Sequence, residues 1–134
     1  MPRRPNTFAK TRQDHARETA EDYVEAIDEI LQVQPTCRVK DLSTKMQVSH
    51  VTVIRILRRL ASEGLIEKEP YGPCSLTKAG ISMARRSRRR HQLLVDFLVH
   101  IGVPAADAAR DAEGMEHHVS DATLAAMRSM LRSC

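Results

Sequence analysis

The stretch from Val39 to Thr77 most constrains how this chain can fold. Val39, Leu42 and Met46 recur at helical spacing, and a tight break passes through Val48. Ser49 then stands where its side chain can cap a further short helix that turns Val53, Ile56, Leu57 and Leu60 inward. Two short helices joined by so small a gap make a helix-turn-helix candidate. Gly64 can end the second of them with a left-handed cap. Leu65 to Glu69 and Cys74 to Thr77 alternate apolar and polar residues about Pro70, Tyr71, Gly72 and Pro73, the pattern of a two-stranded hairpin. A hairpin directly after such a motif is a wing. Gln47 stands in the turn where Gly is frequent, which leaves the geometry of the next helix open.

The flanks read as helices. From Glu18, the residues Tyr23, Ala26, Ile27, Ile30 and Leu31 set an apolar stripe that predicts a first helix ending before Pro35, with Asp22, Glu25 and Glu29 on its other face. Thr77 can cap a long fourth helix running through Leu94 and Leu98 to Ile101, stopped by Gly102. Pro104 opens a fifth helix over residues 104–118, and Ser120 caps a sixth containing Leu124, Met127 and Leu131. Only 3% of the 134 residues are aromatic and Trp is absent, so the core must come from Leu, Ile, Val, Ala and Met. The expected fold is therefore mainly α. Residues 1–18, basic and carrying Pro2 and Pro5, are expected to be a flexible arm. Residues 19–80 are expected to form a winged helix-turn-helix DNA-binding domain, and 81–134 a second, helical domain. Helices five and six are too short and Ala-rich to make a core alone, which predicts packing on the end of helix four and on a second subunit.

Charge is segregated along the chain. Residues 1 to 19 carry five Lys or Arg against two acids, and 53 to 99 carry ten against four, whereas from residue 100 five acids face three Arg. The basic portion suits phosphates and the acidic portion gathers carboxylates, although a solvated mixed surface gives the same totals. Cys37, Cys74 and Cys134 form no C-x-x-C pair, so neither a disulfide framework nor a zinc ribbon is expected, and a reducing, cytoplasmic setting follows. No apolar run has the length of a signal sequence or a membrane span.

The acidic end holds Asp111-Ala-Glu113-Gly-Met-Glu116-His117-His118. On a helix, Glu113, Glu116 and His117 stand at i, i+3 and i+4 and project from one face. Such a cluster repels itself unless a cation sits within it, yet many acidic helix faces are simply solvated. His118, one position around the helix, is not expected in the same cluster.

Taken together, a first helix with Asp22-Tyr-Val-Glu25, a winged helix-turn-helix, a long helix with Arg90-His91-Gln-Leu-Leu and a closing Glu113-Gly-Met-Glu116-His117-His118 resemble the manganese transport regulators of the diphtheria toxin repressor family. The resemblance covers nearly the whole chain after residue 18, and implies that the helical domain 81–134 is a metal-binding and dimerisation domain. It implies that Asp22, Glu25, His91, Glu113, Glu116 and His117 are metal ligands, and that two ions are held per subunit with Glu113 and Glu116 bridging them. Four carboxylates offset two divalent cations. Oxygen and imidazole donors without sulfur suit Mn(II) or Fe(II). Iron-sensing relatives carry Met and Cys where this chain has Asp22 and Glu113, so the resemblance favours Mn(II), with other divalent metals able to bind in vitro. No SH3-like domain is expected after helix six, which fits the manganese branch.

If the third helix enters the major groove, His50, Val51, Thr52, Ile54 and Arg55 are nearest the base edges and Arg58 and Arg59 nearest phosphates. Tyr71 at the wing tip can meet backbone or minor groove. The run Arg85 to Arg90 is as well explained by a helix face offsetting the acidic site as by phosphate contact. The function expected is a repressor that binds double-stranded operator DNA as a homodimer when Mn(II) is bound, controlling manganese homeostasis genes, with no membrane or small-molecule organic substrate. Rival readings are an iron-responsive or broader divalent-metal repressor on this scaffold, a small di-metal enzyme, and a winged-helix protein without metal. The enzyme lacks a phosphate loop or a nucleophile with its base, and no catalytic residue is assigned.

Overall fold

The computed structural model describes the backbone of residues 7–133 and the side chains of residues 12–133. Among them the chain is mainly α, with the elements α1 (Thr7–Val33), α2 (Val39–Met46), α3 (His50–Ser62), β1 (Ile66–Lys68), β2 (Cys74–Leu76), α4 (Lys78–His100), α5 (Ala105–Met115) and α6 (Asp121–Arg132). They form two compact units. One is Thr19–Arg85, and the other joins the chain before Thr19 to the chain from Arg86 on. The division thus falls inside α1 and inside α4.

The Thr19–Arg85 unit is the winged helix-turn-helix. α2 ends on Gln47, which takes the left-handed conformation itself (φ 57°, ψ 46°). The Ser43 hydroxyl donates to the Val48 carbonyl at 2.6 Å, holding the turn that a Gly would otherwise ease. Ser49 starts α3 by accepting the Thr52 N–H at 3.2 Å. Gly64 (φ 76°) ends it, with the Leu65 N–H reaching back to the Leu60 carbonyl at 3.0 Å. The strands pair antiparallel with Ile66 opposite Leu76 and Lys68 opposite Cys74. Thr77 ties this hairpin off: its hydroxyl donates to the Gly64 carbonyl at 2.6 Å and accepts the Gly80 N–H at 3.1 Å, capping α4. A Cβ at Gly80 would lie 2.1 Å from the Leu65 carbonyl oxygen, so only Gly lets α4 start against the wing entry. Val24, Ile27, Leu42, Val53, Leu57 and Leu60 are almost fully buried, each contributing about 1.5–3 kcal/mol of transfer free energy.

The other unit has a smaller core of Leu94, Ala112 and Leu124, covered by Leu93, Val95, Met115, Val119 and Met127. Ser120 caps α6 by accepting the Thr123 N–H at 3.2 Å. Val99, Ile101 and Met130 remain about half exposed. No helix among the described residues is long and apolar enough to cross a membrane.

Two expectations are corrected. The first helix begins at Thr7 rather than Glu18, so residues 7–18 are helical and not an arm. No Gly or Pro interrupts residues 7–33, and Ala, Arg, Lys, Gln and Glu sustain a helix without an apolar stripe. An ion pair between Arg17 and Asp14, one turn apart, adds to it. Residues 1–6 lie outside the described residues. The fifth helix stops at Met115 instead of reaching residue 118. Gly114 in its last turn costs about 1 kcal/mol relative to Ala, which favours an early end.

Candidate functional site

The early end of α5 determines how the acidic cluster is built. Glu116 is the cap residue, its N–H still bonded to the Ala112 carbonyl, and His117 and His118 follow in a turn. Carbonyls released at a helix terminus need new donors. Arg90 on α4 donates to the Glu116 carbonyl at 3.0 Å, and Arg17 on α1 donates to the His117 carbonyl at 3.2 Å. The turn is held so closely that Glu116 and His117 are each only 3% exposed.

Within that turn the Glu116 carboxylate lies between two imidazoles. Its Oε2 is 3.0 Å from His91 Nδ1, and its Oε1 is 3.4 Å from His117 Nε2. A carboxylate oxygen of Glu18 and a ring nitrogen of His117 lie within 4.8 Å of each other. Glu18 also reaches His118, with Oε2 to Nε2 at 3.5 Å. His118 thus touches Glu18 without joining the ligand atoms that Glu18 and His117 bring together. Glu18, Glu116, His91 and His117 are linked pairwise here, so the donors are oxygen and nitrogen, the types that suit a hard divalent ion of six-coordinate habit. Glu18 and His117 are close enough to share one ion, so the residues present fit a metal.

Of the ligands expected, the structure brings His91, Glu116 and His117 together. Glu113 stays exposed on α5 and joins none of these pairs among the described residues. Its separation follows from α5 ending at Met115, since the shared helix face proposed for Glu113, Glu116 and His117 does not exist past that residue. Asp22 and Glu25 are half-buried on α1, in the Thr19–Arg85 unit. Glu18 was not anticipated. The signal was available: Glu18 precedes Asp22 by one turn and Glu25 by two, a carboxylate row along one side of a helix. Placing the helix start at Glu18 hid it.

The surface of α3 is unusual for its exposed apolar residues. Val51 is 75% and Ile54 41% exposed, beside exposed His50, Arg55 and Arg58. Thr52 is half-buried and its hydroxyl accepts from the Ser49 hydroxyl at 3.0 Å, so part of it is committed to the cap. Arg59 pairs with Glu63 at 3.5 Å along the same helix. At the wing tip Tyr71 is fully exposed with φ 60°. A non-Gly residue in that region costs about 1–2 kcal/mol, and no packing of the side chain offsets it. In the run Arg85 to Arg90, residues 85, 86, 88 and 89 are exposed and Ser87 is buried, while Arg90 serves the turn.

Residues 15–73 match the family model described as the iron dependent repressor, N-terminal DNA binding domain, and residues 77–134 match the iron dependent repressor, metal binding and dimerisation domain. The transcriptional regulator MntR of Escherichia coli O157:H7 is 45% identical over 121 residues, which cover 90% of this chain and 78% of that protein. The HTH-type transcriptional regulator MntR of Listeria welshimeri is 34% identical over 100 residues, 75% of this chain and 70% of that one. Among solved structures, a manganese-dependent transcriptional repressor in complex with manganese superposes with a TM-score of 0.75 at 33% identity, over 84% of this chain and 52% of that one. This chain thus spans about half the length of that repressor.

Proposed function

Because the chain belongs to the iron- and manganese-dependent repressor family typified by the diphtheria toxin repressor, we propose that it is a manganese-responsive transcriptional repressor that binds operator DNA as a homodimer. The observation that carries this reading is the buried Glu116 carboxylate set between His91 and His117. Burying a carboxylate is costly unless cations or donors compensate it, and a divalent ion does so where a carboxylate and imidazoles already converge.

The proposed ligand set is Asp22, Glu25, His91, Glu113, Glu116 and His117, for two ions per subunit, and Glu18 is added to it. When bound, Mn(II) supplies positive charge against these carboxylates and links segments far apart in the chain. Arg17 and Arg90 position Glu116 and His117 through their backbone carbonyls. On the DNA side, Val51 and Ile54 suit apolar contact with thymine methyl groups, Arg55 a guanine edge, and Arg58 a phosphate; His50 and Thr52 border them. Tyr71 extends the contact at the wing tip. A dimer presenting two α3 helices gains both half-sites only at a fixed spacing, about 34 Å or a multiple of it, so ordering by the metal favours binding. The half-exposed Val99, Ile101 and Met130 suit burial against a second subunit, and action on DNA places the protein in the cytoplasm.

The test is DNA binding by the purified chain to a duplex selected from a random pool, titrated with Mn(II), with Fe(II) under anaerobic conditions, and with chelator. Mn(II) should raise affinity, and His91→Ala or Glu116→Ala should remove at least about tenfold of that gain. Affinity that chelation leaves unchanged would sink the proposal. A larger response to Fe(II) than to Mn(II) would favour the iron-responsive reading, which the description of the matched family model supports.

A further inference from the structure

Two of the three cysteines are used by none of this chemistry, yet they face each other. Cys37, in the segment leading into α2, and Cys74, at the start of β2, form an isolated antiparallel bridge in which the Cys74 N–H donates to the Cys37 carbonyl at 2.8 Å. Residues directly opposite in such a bridge turn their side chains to the same face, with Cα atoms about 4.5–5.5 Å apart. That separation lies inside the range of about 4.4–6.8 Å that a disulfide spans without backbone movement. Both are free thiols and buried, and each influences the other's ionisation.

Cys37 is fully buried, and of the two only Cys74 borders a cleft. Cys74 lines an open cleft of about 300 Å³ whose walls include Pro35, Thr36, Lys68, Glu69 and Pro73. The opening is large enough for a small polar oxidant. Cys74 is flanked on the other side by Lys68, its partner across the β1–β2 ladder.

We propose that Cys37 and Cys74 are a peroxide-reactive dithiol, with Cys74 as the attacking sulfur and Cys37 as the resolving one. The Cys74 thiolate attacks one oxygen of hydrogen peroxide: an S–O bond forms, the O–O bond breaks, and hydroxide leaves and is protonated to water. The Cys37 sulfur then attacks the Cys74 sulfenic acid: the S–S bond forms, the S–O bond breaks, and the departing hydroxide takes the Cys37 proton. Two thiols are oxidised and one peroxide is reduced to two waters.

The division of labour follows from the surroundings. Hydrogen bonding from Cys37 holds the Cys74 thiol below its ordinary range, and the Lys68 ammonium acts in the same direction. The same hydrogen bond, with burial, pushes Cys37 up, and of the two only Cys74 lines the cleft, so peroxide arriving there meets Cys74 first. Once Cys74 is a sulfenic acid its charge is gone, and with it the largest barrier to ionising Cys37. The resulting bridge closes a loop that contains α2, α3, β1 and the wing tip, which restricts the unfolded chain and raises the melting temperature.

The experiment uses the full chain carrying Cys134→Ser, so that only this pair is counted. Hydrogen peroxide at neutral pH should reduce free thiols from two per chain to none and lower the intact mass by two hydrogens. Digestion should yield one linked peptide pair containing Cys37 and Cys74, and dithiothreitol should restore both thiols. In the further variant Cys37→Ser, Cys74 should be trapped as a dimedone adduct, while in Cys74→Ser the remaining Cys37 should react at least about tenfold more slowly. The proposal is overturned if both thiols survive peroxide that oxidises free cysteine. It is overturned equally if links form only between chains, or if Cys37 reacts as fast as Cys74. If a serine variant fails to fold, the two-cysteine chain treated briefly with peroxide and dimedone should carry the adduct on Cys74, and an adduct on Cys37 instead would overturn the assignment.

Discussion

Tyr23 illustrates how a single side chain can be packed well and satisfied poorly. It is 3% exposed in the core of the Thr19–Arg85 unit, and its hydroxyl has no hydrogen-bond partner among the described residues. An unmatched buried hydroxyl costs about 1–3 kcal/mol, so Tyr23→Phe should leave the fold intact and raise stability by about 1 kcal/mol in a denaturant titration. Burial also pushes the Tyr23 phenol above its ordinary value of 10.0. The folded state therefore holds this proton more tightly than the unfolded chain. That contribution is fully present below pH 10 and is lost as the pH climbs from there through the folded value. Tyr23→Phe should flatten the alkaline loss of stability; an unchanged alkaline limb would mean that Tyr23 is not its source. The sequence told that Tyr23 faces inward but not that its hydroxyl lacks a partner, because periodicity reports a direction and not a contact. Glu18 was missed for a related reason: a carboxylate at a supposed helix start has no assigned face. Glu116 and His117 were legible as residue types, yet the two arginines that fasten their turn lie 26 and 100 positions away and leave no local signature.

Among the elements, those with strong punctuation were legible. Ser49, Gly64, Gly102 and Ser120 each mark a boundary by a side chain or a φ that the backbone requires, and α3, the start of α6 and the end of α4 fall where these residues put them. The wing was equally readable from its alternation about Pro70 to Pro73. What escaped were ends without punctuation, the start of α1 at Thr7 and the end of α5 at Met115, where summed propensity and a lone Gly decide. The junction of wing and α4 offers a test of packing at this scale. Gly80→Ala forces a methyl against the Leu65 carbonyl and should cost at least about 1–3 kcal/mol, read as a lowered melting temperature with the helical circular dichroism retained. Stability equal to that of the unsubstituted chain would show that α4 can shift away from the wing. At the tip, Tyr71→Gly relieves a positive φ and should stabilise the hairpin, while weakening DNA binding if the exposed ring makes the contact proposed.

For the whole molecule, the two compact units are not separated by loops, because the chain passes from one to the other within α1 and within α4. Boundaries of that kind lack the exposed, flexible linker at which proteases normally part domains. Trypsin should therefore spare the run Arg85 to Arg90, despite its five arginines, for longer than it spares Lys68 beside the wing tip. Early release of a fragment ending at Arg85 or Arg86 would contradict a continuous α4. Metal should extend this protection if it links distant segments as proposed. One unit draws on chain from before Thr19 and again from Arg86 onward, while the other is a single run. On the ribosome the reading head is accordingly complete while its companion still awaits Arg90 and Glu116. At about 5–20 residues per second that delay is on the order of seconds, during which the turns of α1 before Thr19 must stand without their later partners.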